Sequence, residues 1–126
     1  MTQLLQWLYP VFTGIIDGAL AMLFHELGHI VMALMLGVRV KHVGLRWKGL
    51  YTVREAGPPG KNIVISLAGP AVNFILCFLL PYSFNFALAN FCIGLGNLIP
   101  IRGSDGYRAL YTTRYMAEDK AAKAAQ

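Results

Sequence analysis

The placement of basic residues constrains this chain more than any other feature. No Lys or Arg occurs before Arg39 and none lies between Asn62 and Ile101, so all eleven fall between Arg39 and Lys61 or from Arg102 onward. A bilayer core of about 30 Å takes about 20 helical residues, and the stretches free of basic residues are long enough to provide them. Hydrophobic residues make up 56% of the chain and charged residues 13%, about half the charged share of an ordinary soluble domain. A lipid-embedded protein is the reading that follows. The 126 residues suffice for one domain, taken here as 1–126.

Three spans are expected. The first runs from about Val11 to Val38, the second from Asn62 to Leu80 between "PPGK" and Pro81, and the third from Phe84 to Pro100. The third contains Asn85, Asn90 and Asn97. It reads as an interrupted helix, tolerable where it lines protein or a wet cavity. Between spans one and two, residues 38–55 alternate polar and apolar and are rich in Val, Tyr and Thr. That is a small β-hairpin pattern, with a reversal near Lys48-Gly49. Arg46, Trp47 and Lys48 read as a membrane-surface anchor. A C-terminal helix and a fraying alanine-lysine tail fill 105–126. The fold class is thus an all-α membrane protein with a three-transmembrane-helix core and a hairpin between its first two spans.

The basic residues also orient the chain. With three spans, the loop after span one and the C-terminus share a side, and the positive-inside rule makes that side cytoplasmic and the N-terminus external. The net charge of +5 flanks apolar segments and carries no nucleic-acid fold signature. No nucleic acid is expected, and anionic headgroups are the natural partner. Cys77 and Cys92 lie in apolar stretches far from CxxC spacing and read as free buried thiols. The first ten residues lack a basic n-region and a small-residue cleavage site, so no removable signal peptide is expected.

Against this apolar background "FHELGHIV", residues 24–31, stands out. On a helix His25 and His29 share one face and reach a single metal ion, while Glu26 sits one residue round, placed to act on a water as general base. Buried histidines satisfied by neighbouring helices are the plainer explanation, but His, Glu and His at this spacing inside a span favour metal. A catalytic zinc takes three protein ligands, so a third is needed. Asp17 is eight residues before His25, about 12 Å up the helix at 1.5 Å per residue, and too far. His42 and Glu55 fall in the hairpin, and Glu118 and Asp119 in the polar tail. Asp105 remains, just beyond a helix break in "NLIPIRGSDG".

These motifs resemble the site-2 protease family of intramembrane zinc metalloproteases (peptidase family M50). HExxH is His25, Glu26 and His29; the GPxxN-type motif is "GPAVN" with Gly69, Pro70 and Asn73; and NxxPxxxxDG is Asn97, Pro100, Asp105 and Gly106. All three occur in the family's order, and the match covers about Gly14 to Tyr111. The chain departs from the usual pattern at Gly103-Ser104 and at Tyr107. The resemblance implies a minimal core without PDZ or CBS modules, with one Zn2+ per chain held by His25, His29 and Asp105. It also implies that Asn73 acts near the substrate carbonyl, with helix packing as the other reading of that amide. Asn97 reads as structural. The hairpin edge is expected to pair with an extended substrate.

The expected function is hydrolysis of a peptide bond in or next to a transmembrane segment of a substrate protein or peptide, with Glu26 as general base. A catalytically silent zinc-binding membrane adaptor is the alternative, and a purely structural membrane protein a third. An oligomer stays open, since three helices offer little shielding for such a site.

Overall fold

The computed structural model of the chain describes residues 2–46 and 49–125. Helix α1 covers Thr2–Met35, 34 residues, or about 51 Å at 1.5 Å per residue. It begins nine residues before the expected start at residue 11. Pro10 lies inside it: proline removes one hydrogen bond and crowds the carbonyl four residues back, yet the helix continues on both sides, and the Thr13 hydroxyl donates back to the Tyr9 and Pro10 carbonyls at 3.1 Å each. The helix ends in a Schellman cap. Gly37 adopts φ 68°, Gly37 N donates to Leu34 O at 3.0 Å and Val38 N to Ala33 O at 2.8 Å. The turn brings Val38 onto Ala33 and Ile65, a small apolar cluster at the end of the helix.

Strands β1 (Val40–Arg46) and β2 (Gly49–Arg54) form an antiparallel pair, with Val43 opposite Thr52 and Leu45 opposite Leu50. The register shifts between Val40 and His42. The Trp47–Lys48 part of the expected reversal and anchor lies outside the described residues.

Helix α2 spans Pro59–Phe78, with Pro59 in its first turn, where a missing N–H costs nothing. It starts three residues before the expected span for that reason. Helix α3 spans Phe84–Leu98, capped by Ser83, whose Oγ accepts from Phe86 N at 3.0 Å. Contrary to expectation α3 is unbroken between those ends. Two of its asparagines fold back on the helix: Asn90 Nδ2 donates to Phe86 O and Asn97 Nδ2 to Ile93 O, at 2.9 and 3.0 Å. Helix α4 covers Asp105–Ala124. The expected frayed tail is helical as far as Ala124, consistent with alanine's high helix propensity.

Among the described residues, two helices are long and apolar enough to cross a membrane, Leu5–Met35 and Pro59–Phe78; Phe84–Leu98 is shorter. Its 15 residues reach about 22 Å against a core of about 30 Å. Helix α2 is central, with α1, α3 and α4 all packed on it. The packing is inside out. Trp7, Phe12, Leu34 and Phe78 are exposed, while Asp17, His25, His29, Ser66, Asn73, Asn90 and Asp105 are buried. A polar seam lined by apolar outer faces suits lipid as the surrounding solvent. Cys77 is a buried free thiol as expected, but Cys92 is exposed on α3, since it lies on the helix face opposite buried Asn90 and Gly94.

Candidate metal centre and active site

His25 and His29 both point from α1 into the seam, where Asp105 meets them from the first turn of α4. His25 Nε2 lies 3.0 Å from Asp105 Oδ2, His29 Nε2 lies 3.2 Å from the same oxygen, and the two Nε2 atoms are 3.1 Å apart. What sits behind each ring decides what these nitrogens carry. His29 Nδ1 lies 2.7 Å from the Ile65 carbonyl, which only accepts, so Nδ1 holds the proton and Nε2 a lone pair. Asn73 settles His25. Its amide nitrogen donates to Ala21 O at 3.0 Å and to Asn90 Oδ1 at 2.8 Å, leaving its oxygen to accept from His25 Nδ1 at 2.6 Å.

Three electron-pair donors therefore converge with no hydrogen of their own between them. That is stable only around a cation, either an extra proton or a metal. Two imidazole nitrogens and a carboxylate oxygen, all buried and mutually within 4.8 Å, are a donor set that fits zinc. Burial would push the Asp105 carboxyl up, but once the cluster holds an extra proton the hydrogen bonds and charge of His25 and His29 hold it well below the usual carboxylate range. The carboxylate form is the one that faces the imidazoles.

Local backbone features make room for this approach. A Cβ on Gly69 would collide with His29 Nε2 and lie 2.9 Å from His25 Cε1, so α2 can carry no side chain there. In the connection to α4, Gly103 takes φ 100° and Ser104 N closes a turn on Ile101 O at 2.9 Å. Ser104 Oγ then accepts from Tyr107 N at 3.1 Å and donates to Ile99 O at 2.7 Å. The departures at Gly103, Ser104 and Tyr107 thus form one turn and cap that set Asp105 at the start of α4. Gly106 follows with no room for a Cβ against the Leu98 carbonyl.

A cavity of about 220 Å³ opens beside the cluster, lined among others by Glu26, Thr52, Arg54, Asn97 and Arg108. Glu26 is half-buried, and the Thr52 hydroxyl donates to its Oε2 at 2.8 Å. Arg54 donates to Asn62 Oδ1 at 2.6 Å; burial, and then the charge of Arg108, push its guanidinium below its ordinary range.

The structure brings together four of the five residues singled out from the sequence: His25, His29 and Asp105 as the cluster, and Glu26 beside it. Asn73 is placed differently from expectation. It is fully buried, lies behind His25 rather than on the cavity, and spends its amide within the protein. Asn97, read as structural, is the amide that lines the cavity, while also bonding back to Ile93. Thr52 was not anticipated. Strand alternation places Leu50, Thr52 and Arg54 on one face, but nothing local to the strand says that this face covers Glu26. Asp17 lies at the other end of the seam with Tyr82 and Ser83. His42 bonds the Tyr51 hydroxyl at 3.0 Å.

Comparison with known proteins agrees with this geometry. A family model described as Peptidase M50B-like matches residues 2–111. A zinc metalloprotease of Methanocaldococcus jannaschii is 30% identical over 104 residues, which cover 71% of this chain and 31% of that protein. A Synechocystis sp. protein provisionally named a zinc metalloprotease is 33% identical over 72 residues, covering 56% of this chain and 19% of its own. The matched region thus spans less than a third of either relative.

Proposed function

The chain belongs to the M50B-like family of zinc metallopeptidases, and from that premise we propose that it is an intramembrane endopeptidase cutting in or next to a transmembrane segment of another protein. The observation that carries this reading is the convergence of three electron-pair donors beside a cavity that holds a carboxylate. His25, His29 and Asp105 hold one zinc ion per chain in this reading. Zinc, when bound, supplies Lewis acidity toward a water and toward the scissile carbonyl.

The remaining steps belong to the chain's own residues. Glu26 takes the proton of the attacking water and passes it to the leaving amine. Thr52 holds Glu26 Oε2 and leaves the other carboxylate oxygen to face the cavity. The hairpin edge pairs with the substrate backbone, which must be extended for this and for attack, because a helix hides its carbonyls in its own hydrogen bonds. In the bilayer, α1, α2 and the shorter α3 cross as one domain, with the N-terminus outside and the C-terminus cytoplasmic. His25 and His29 lie past the middle of α1, so water enters from the cytoplasmic face.

The test is Glu26→Gln on detergent-purified protein with a transmembrane substrate. Zinc content should stay at wild type while cleavage falls by at least about 10²–10⁴-fold, the usual worth of general base catalysis. Retained cleavage would remove Glu26 from its role.

A further inference from the structure

A primary amide can be turned through 180°, and at Asn73 the choice decides the chemistry of His25. With its oxygen toward His25, Asn73 forces the ring proton onto Nδ1 and leaves Nε2 as a donor of electrons. With its nitrogen there, the proton moves to Nε2 and blocks that atom. Two neighbours hold the orientation. The Ala21 carbonyl, an acceptor only, faces Asn73 Nδ2 at 3.0 Å. Asn90 supplies the second. Its own nitrogen is committed to the Phe86 carbonyl at 2.9 Å, another pure acceptor, so its oxygen must face Asn73, at 2.8 Å.

We propose that Asn90 on α3 is a positioning residue for the metal centre, fixing the proton of His25 on Nδ1 through Asn73. The inference rests on reading His25 as a zinc ligand. Both asparagines are 0% exposed, so water does not replace either partner. A turned Asn73 would set its oxygen against two acceptors at once. The relay crosses three of the four helices that line the seam, from α3 through α2 to α1, and partners that orient a ligating histidine typically change metal affinity 10–100-fold when lost.

The experiment uses the full chain in detergent with 15N-labelled histidine. Chelator competition reads zinc affinity, and long-range 1H–15N correlation of the zinc-loaded protein reads the Nδ1–H of each histidine and the hydrogen bond it makes. Asn90→Leu keeps the branched heavy-atom skeleton and removes the acceptor. It should weaken zinc about 10-fold or more and disturb the His25 Nδ1–H signal, while His29, tied to the Ile65 carbonyl, keeps its own. Asn90→Asp should match wild type, because a carboxyl without water stays neutral, donates to Phe86 O and accepts from Asn73. A folded Asn90→Leu with wild-type zinc affinity and an intact His25 signal overturns the proposal and leaves Asn90 a packing residue. Should Asn90→Leu fail to fold, the smaller Asn90→Val, which also lacks the acceptor, decides: a roughly tenfold loss of zinc with a disturbed His25 Nδ1–H signal supports the proposal, and wild-type zinc affinity with that signal intact overturns it. Wild-type protein that takes up no zinc refutes the centre itself, whereas a zinc-binding wild type with an indifferent Asn90→Leu refutes only the part of Asn90.

Discussion

Asp17 and Asp105 are the two buried carboxylates of this molecule's described residues, 3% and 5% exposed, at opposite ends of one polar seam. Their partners differ in polarity. Asp17 accepts from two hydroxyls, those of Tyr82 and Ser83, which bring the hydrogens it needs. Asp105 faces two imidazole nitrogens whose protons are held on the far side of each ring. The first carboxylate is complete as the chain folds, and it ties the start of α3 to α1. The second has Arg108 3.8 Å from its Oδ1, but its Oδ2, between the two imidazoles, is complete only when a cation joins the cluster. Burial of an acid therefore says little about function until the donors around it are counted.

That contrast can be broken most sharply at Asp105. Asp105→Ala removes one of the three proposed ligands, so zinc affinity should fall beyond the roughly 100-fold typical of losing a mere supporting residue, and cleavage with it. Zinc content after chelator competition measures this; full retention would mean that two histidines suffice and that Asp105 resembles Asp17 after all. A smaller effect is expected at the hairpin. Thr52→Val deletes a hydrogen bond to a charged acceptor, worth about 1.5 kcal/mol or about tenfold, and should lower kcat with zinc unchanged. An unaltered kcat would detach the hairpin from Glu26. The smallest effect is at Asp17. Asp17→Asn keeps one accepting oxygen and should cost about 1 kcal/mol, read as a lower Tm in detergent, with zinc at wild type. Zinc release from Asp17→Asn would show that the two ends of the seam are coupled.

Much of this arrangement was legible along the chain. Stretches without basic residues mark α1 and most of α2, alternation marks the hairpin, and the His25, Glu26, His29 spacing marks one helix face. Elimination among the remaining acids led to Asp105, which the structure gathers with the histidines. The misses share a cause. The first span was expected from residue 11, yet α1 runs continuously from Thr2 through Pro10. Asn90 and Asn97 suggested a broken helix, because a polar side chain in an apolar run does not announce that its partner is its own carbonyl four residues back. Thr52 and Asn73 were hardest, since their partners lie 26 and 48 residues away.

By itself the sequence determined which elements form and which residue types can ligate, because periodicity, charge and ring nitrogens are properties of short segments. Only the tertiary structure decided the direction of each hydrogen bond. Whether Asn73 offers oxygen or nitrogen to His25 depends on carbonyls of α1 and α3 that meet it only after the helices pack, and that direction leaves His25 Nε2 an electron-pair donor, as the Ile65 carbonyl does for His29.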